Sequence, residues 1–207
     1  MFDKKITPIY QRALEPLGRF LVSKKVSADT ITVAGFMLGV FAIPMIIKGY
    51  FFCALIFIIL NRTLDGLDGI IARKTFTSDR GAFLDFTLDC VFYAMVPIGF
   101  AFNNLEHNAM PTLLLLGSFI GTSVSFLSFS IIAERKGIYI KNSEEKGIYY
   151  VNSFMEGTET IVFFVLMCLF PIHYKFFAYL FAFGCLITLI IRLRTAWVHF
   201  PKNTNKF

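Results

Sequence analysis

Four aspartates, Asp65, Asp68, Asp85 and Asp89, stand close together in otherwise apolar chain, accompanied by Gly69, Ala72, Arg73 and Gly81. Carboxylates so placed can hold a hard cation or take a proton from a hydroxyl. On a helical projection Asp65, Asp68, Gly69 and Ala72 fall within an arc of about 100°, and Gly81, Asp85 and Asp89 within about 80°. The connection between the two groups is short, which predicts antiparallel neighbouring helices whose acidic stripes face each other. Four carboxylates gathered there repel one another unless something neutralises them. An all-oxygen donor set suits Mg²⁺ or Mn²⁺, usually completed by water and by phosphate oxygens of a substrate. The small residues leave room for a phosphorylated group to approach the backbone. Single acids at helix ends are ordinary solvated caps and small residues are ordinary packing contacts, but the register of four acids with three small residues and an arginine argues for a site.

The elements that must position these residues belong to a membrane. Of 207 residues 56% are hydrophobic, 17% aromatic and only 16% charged, with mean hydropathy +0.66, whereas a soluble domain is about 25% charged. Six apolar segments are predicted as membrane-crossing helices, at 30–49, 51–72, 82–103, 111–133, 153–171 and 174–195. These runs lack the alternation of barrel strands, and lipid leaves helices or closed barrels as the spanning solutions. Before them Ile6, Ile9, Tyr10, Ala13, Leu14, Leu17, Phe20 and Leu21 recur at helical spacing between basic residues, which predicts an amphipathic helix on the membrane surface. The expected architecture is therefore all-α: a surface helix within 1–29, a six-helix bundle over 30–195 and a tail at 196–207, one domain throughout. Charges among the first 25 residues leave no apolar core for a cleavable signal peptide.

The net charge of +6 fits the bias of cytoplasmic loops better than nucleic-acid binding. Lys and Arg number six in 1–29, three in 73–80, four in 134–152 and four in 192–207, while the alternate loops hold Lys48 and Lys175. Both termini and the acidic cluster are thus expected on the cytoplasmic side. Cys53, Cys90, Cys168 and Cys185 fall singly in apolar segments and read as small apolar residues.

The run Asp65-x-x-Asp68-Gly69-x-x-Ala72-Arg73 followed by Gly81-x-x-x-Asp85-x-x-x-Asp89 resembles the signature of the CDP-alcohol phosphatidyltransferases, membrane enzymes with six spans and an N-terminal surface helix. One departure is a connection of seven residues, Lys74 to Arg80, where the family usually has eight. Arg80 is accordingly expected to replace a contact made by the longer loop. A weaker likeness lies at Ala28-Asp29-x-x-Thr32, in which Thr32 alone matches fully; capping of the first span by Ser27 or Asp29 is the equal alternative. The resemblance implies transfer of a phosphatidyl group from CDP-diacylglycerol to a small alcohol, with release of CMP, in phospholipid biosynthesis. It implies two divalent cations, Mg²⁺ or Mn²⁺, on Asp65, Asp68, Asp85 and Asp89, with Asp89 as the base. It also implies nucleotide contacts from Thr32, Gly69, Ala72, Arg73, Arg80 and Gly81, acyl chains in membrane grooves, a homodimer and, for the setting, a bacterial cytoplasmic membrane.

The acceptor is less constrained. Arg80, Arg135, Lys136, Lys141, Arg192 and Arg194 are basic residues expected on the side of the acidic cluster that could hold an acceptor phosphate, or act as orientation signals and lipid contacts. Arg192 and Arg194 end a span, where such side chains snorkel. Glu156 and Glu159 begin the fifth span on one face, where they either recognise acceptor hydroxyls or an amine, or pair with Arg62 or Arg194. Thus Glu156, Glu159, Arg135 and Arg194 are the acceptor candidates. Two other readings remain open, a cation channel or transporter using the acidic face, and a scaffold that has lost activity; His107, His173 and His199 have no clustered partners and no assigned chemistry.

Overall fold

The computed structural model describes residues 3–136 and 155–200, with side chains from Tyr10 onward. Within them the secondary structure is helical, apart from the connections. The order is α1 (Asp3–Ser23), α2 (Ala28–Val40), α3 (Ala42–Ile47), α4 (Phe51–Lys74), α5 (Asp79–Asn103), α6 (Leu105–Arg135), α7 (Gly157–Leu169), a single 3₁₀ turn and α8 (Tyr174–His199). Lys141 and the expected start of the fifth span at 153–154 lie outside the described residues.

The first expected span is broken at Phe41 into α2 and α3. Pro44 explains this, since it has no N–H to donate to the carbonyl of Val40. Taken together Ala28–Ile47, with α5, α6 and the segment Pro171–His199, give four helices long and apolar enough to cross a membrane. The chain is multi-pass. Two of the six expected spans differ for distinct reasons: α4 carries Arg62, Asp65 and Asp68 in its middle, and α7 has only 13 residues, about 20 Å of helix.

The core sits where α3, α4, α5, α7 and α8 meet. Ile46, Ile58, Phe92, Phe164 and Phe181 are fully enclosed there. Phe100 stacks on both Phe51 and Tyr174, with ring centroids 5.6 and 4.6 Å apart, and the Tyr174 hydroxyl shares a 2.7 Å hydrogen bond with Thr112. Outward faces stay apolar, with Phe52, Ile172 and Trp197 among the most exposed side chains; lipid is the solvent that suits them.

Glycines set how closely the site helices approach. Gly35 and Gly39 form a G-x-x-x-G edge on α2. A methyl on Gly39 would lie 2.9 Å from the Phe92 ring and 3.0 Å from Asn61, whose buried amide donates to the Gly35 carbonyl at 3.1 Å. As a result α2 packs against both α4 and α5, while α4 and α5 approach each other little through their backbones. The sequence predicts direct neighbours. The two acidic stripes do face each other, with the carboxylates filling the space between backbones that do not approach closely.

Helix α1 is strapped to the other side of α4. The Tyr10 hydroxyl donates to the Arg62 carbonyl at 3.0 Å, Glu15 pairs with Lys74 at 2.6 Å, and Gly66 faces the Tyr10 ring, which a methyl there would approach to 2.6 Å. Burial raises the Tyr10 pKa, so the hydroxyl stays a donor. Bonding to Lys74 lowers that of Glu15. The Glu15 contact therefore operates above the ordinary glutamate range and is lost as pH falls through its lowered value. Gly66→Val is expected to release α1, at a cost of about 1 to 3 kcal/mol, read as increased amide exchange over residues 10–23. Unchanged exchange would show that α1 is held without this contact.

Candidate active site

The four aspartates come from two helices with well-defined starts and stops. Helix α4 ends where the Thr75 hydroxyl donates to the Ile71 carbonyl at 2.8 Å. Ser78 then caps α5 by accepting from the Gly81 amide at 3.0 Å. Carboxylate oxygens of Asp65, Asp85 and Asp89 lie within 4.8 Å of one another. Asp68 stands beside them, only 5% exposed, and accepts a 2.6 Å hydrogen bond from the Thr32 hydroxyl. All four line one narrow cleft with Thr32, Gly35 and Asn61.

The donor chemistry fits a hard divalent cation. Ligand oxygens around an ion at about 2.1 Å stand about 3 to 4.2 Å apart, so small side-chain rotations close the observed spacing. One cation of the protein already enters the cluster. The Arg62 guanidinium meets Asp65 at 2.7 Å and Asp89 at 3.5 Å and donates to the Tyr93 hydroxyl at 3.2 Å. Tyr93 in turn donates to the same Asp89 oxygen at 3.1 Å.

The remaining expected nucleotide residues surround the N-terminus of α5 and the C-terminal part of α4. Arg73 folds back over Gly69, where a methyl would touch the guanidinium at 3.4 Å. Gly81 admits Asp29, which a methyl there would meet at 3.0 Å. Ser27 caps α2 by accepting from the Thr30 amide at 3.2 Å, while Thr32 of the same segment bonds Asp68. Arg80 does not line the acidic cleft: its side chain is 81% exposed and it pairs with Asp29 at 3.6 Å.

A second, larger cleft of about 260 Å³ opens between α5, α6, α7 and α8. Its walls are Phe86, Phe119 and Phe126, and its polar groups include Thr122, Ser123, Glu156, Thr160 and Arg192. Tyr93 lines it too, so one side chain touches both this space and Asp89. Glu156 and Glu159 form a reciprocal capping box at the start of α7, with the Glu156 amide donating to Glu159 Oε2 at 3.3 Å. Of the pair, Glu156 lines the cleft.

Among the described residues the basic one lining this cleft is Arg192; Arg135 at the end of α6 and Arg194 within α8 are exposed. Snorkelling is the wrong description of Arg192, which is 8% exposed, donates to the Thr122 carbonyl at 2.6 Å and lies over the Phe126 ring at 5.1 Å. Helical spacing explains the difference. Arg192 continues the buried stripe of Cys185 and Thr188, and Arg194 is turned about 200° from it. Arg62, Tyr93 and Asn61 were also missed as site residues. For Arg62 the available signal was a guanidinium one turn before an acid inside a span.

Comparisons with known proteins agree with this geometry. The sequence profile of the CDP-alcohol phosphatidyltransferase family matches residues 25–194. The inner membrane protein YnjF of Escherichia coli is 40% identical over 198 residues, 96% of each chain. A phosphatidylinositol phosphate synthase of Streptomyces avermitilis is 38% identical over 104 residues, 49% of this chain and 42% of that protein. The crystal structure of the phosphatidylinositol phosphate synthase of Mycobacterium tuberculosis with CDP-DAG bound has a TM-score of 0.74 at 22% identity, covering 95% of this chain and 98% of that one. The same enzyme in complex with manganese and citrate gives 0.73 at 23% identity, covering 93% and 92%. At such identities the structural likeness speaks for the fold.

Proposed function

The chain belongs to the CDP-alcohol phosphatidyltransferase family, and from that premise we propose that it moves a phosphatidyl group from CDP-diacylglycerol to a small alcohol and releases CMP. The observation that carries this reading is the meeting of Asp65, Asp85 and Asp89 beside the Asp68–Thr32 pair, inside the stretch that the family profile matches.

Asp65, Asp68, Asp85 and Asp89 would hold the divalent cations, whose chemistry, when bound, is to offset charge developing on the pyrophosphate oxygens. Gly69, Ala72, Arg73 and Gly81 face the nucleotide; Arg73 offers a planar fork of donors to a phosphate. A contact from Arg80 requires it to leave Asp29. Asp89 takes the acceptor's hydroxyl proton as that oxygen bonds to the phosphatidyl phosphorus and the bond from this phosphorus to the CMP oxygen breaks. The Asp89 carboxylate is aimed by Tyr93 and Arg62.

The acceptor fits the larger cleft, because Tyr93 joins that space to Asp89. Glu156 and Arg192 then replace the wider set of acceptor candidates. In the membrane α4 and α7 complete six crossings of a single domain, with both termini and the site on the cytoplasmic side and two copies forming the homodimer that the resemblance implies.

Incubation of the purified protein with CDP-diacylglycerol, Mn²⁺ and a panel of alcohols is expected to yield CMP with one acceptor class. Failure to release CMP with any acceptor would overturn the reading.

A further inference from the structure

We infer that Arg62 is a built-in counter-ion of the carboxylate cluster, which holds Asp65 and Asp89 together before metal enters and sets how tightly metal binds. This inference rests on the metal reading above. Arg62 stands one turn before Asp65 on α4, 29% exposed at its side chain, with Nη1 at 2.7 Å from Asp65 and 3.5 Å from Asp89. Its position is over-determined. Nη1 also meets the Tyr93 hydroxyl at 3.2 Å, Nη2 faces the Gly157 backbone at the head of α7, where a methyl would touch it at 3.4 Å, and the Arg62 carbonyl is held by Tyr10 of α1. Helices α1, α5 and α7 therefore all bear on one residue of α4.

A guanidinium in that place has two opposed consequences. It offsets the repulsion among acids that share one gap, so the cluster stays assembled without metal. It also repels a divalent cation arriving at the same oxygens, and at the separations involved one unit charge changes metal affinity by about tenfold in a solvent-like dielectric. Arg62 is thus a positioning residue whose signature is electrostatic: losing the charge tightens metal binding even as it loosens the metal-free site. Loss of a merely structural hydrogen bond would weaken both.

The test is Mn²⁺ binding to the full chain in lipid nanodiscs without CDP-lipid, followed by the electron paramagnetic resonance signal of free Mn²⁺. Arg62→Gln is expected to bind Mn²⁺ about tenfold more tightly than wild type, to melt at a lower temperature in EDTA, and to gain more from added Mn²⁺. Arg62→Lys keeps the charge and should stay within about threefold of wild type, whereas Tyr93→Phe, which removes a hydrogen bond to Asp89 but no charge, should bind Mn²⁺ no more tightly than wild type. Equal or weaker Mn²⁺ binding by Arg62→Gln overturns the inference, as does equal tightening in Tyr93→Phe. If Arg62→Gln folds only when purified with Mn²⁺, the ion has replaced the guanidinium and the inference stands; failure to fold with or without Mn²⁺ overturns it. Absence of Mn²⁺ binding in wild type and Arg62→Gln alike instead defeats the metal reading itself.

Discussion

Asparagine at Asp85 or Asp68 is expected to abolish metal-dependent CMP release, by about a thousandfold or more, and at Asp68 to raise the melting temperature of the metal-free protein as well. The two effects have one cause. Asp85 shares its 4.8 Å cluster with Asp65 and Asp89, and Asp68 stands beside them with Thr32 as its donor. An amide keeps the size of the side chain and, at position 68, an oxygen for the Thr32 hydroxyl, but removes one negative charge from a crowded set. At position 68 the metal-free fold is relieved, and at either position the cation site loses a ligand that neutral oxygen replaces poorly. Stabilisation of this kind is the usual price of a functional site given up. The measurement pairs CMP release at saturating Mn²⁺ with melting in EDTA. Asp65→Asn is expected to lose activity equally but to melt no higher, because Asp65 also binds Arg62 at 2.7 Å. Activity that persists in EDTA, or in Asp85→Asn, would overturn the metal reading.

The contrast between these aspartates and the acceptor residues shows what a sequence of this kind discloses. Asp65, Asp68, Asp85 and Asp89 were legible because a carboxylate in a membrane helix is costly and helical spacing fixes which of them share a face. Thr32 was legible through the short likeness it anchors, and the structure adds its bond to Asp68. Periodicity within one helix does not report distances between helices, so the spacing of the α4 and α5 backbones and the close approach of the glycine edge of α2 to both were not legible. The same reason leaves Arg192 undistinguished among the basic candidates of the sequence. A basic residue at the end of a span has a ready explanation in snorkelling, and only the packing of α8 on α6 turns this one inward, onto the Thr122 carbonyl. Glu156 and Glu159 were expected on one helix face, but Glu156 is the extended N-cap of α7 and the capping box turns Glu159 back toward its amide, a local competitor for a carboxylate that a wheel diagram does not weigh.

Acceptor recognition is expected to depend on Arg192 and Glu156 and to leave the nucleotide untouched. Arg192 presents a guanidinium fixed by Thr122 and Phe126 at one side of the larger cleft, and Glu156 places an acid at the head of α7 in the same cleft. An acceptor carrying one anionic group finds a charge-assisted partner in Arg192 worth about 1.5 to 3 kcal/mol, or about 10- to 100-fold in affinity. Beside Glu156 a second anionic group meets repulsion, whereas hydroxyls or an ammonium find an acceptor for their protons. Because Arg192 is buried, truncation to alanine would confuse binding with folding; Arg192→Lys keeps the charge and loses the planar fork. For the anionic acceptor Arg192→Lys should raise KM about tenfold, and Glu156→Gln should narrow the preference against acceptors with additional charge. In both variants the KM for CDP-diacylglycerol should stay within about twofold, since its proposed contacts lie on α2, α4 and α5 and none of them comes from α7 or α8. Parallel rises in both Michaelis constants would mean that the substitutions disturb the bundle as a whole, and unchanged acceptor kinetics would place the acceptor outside this cleft.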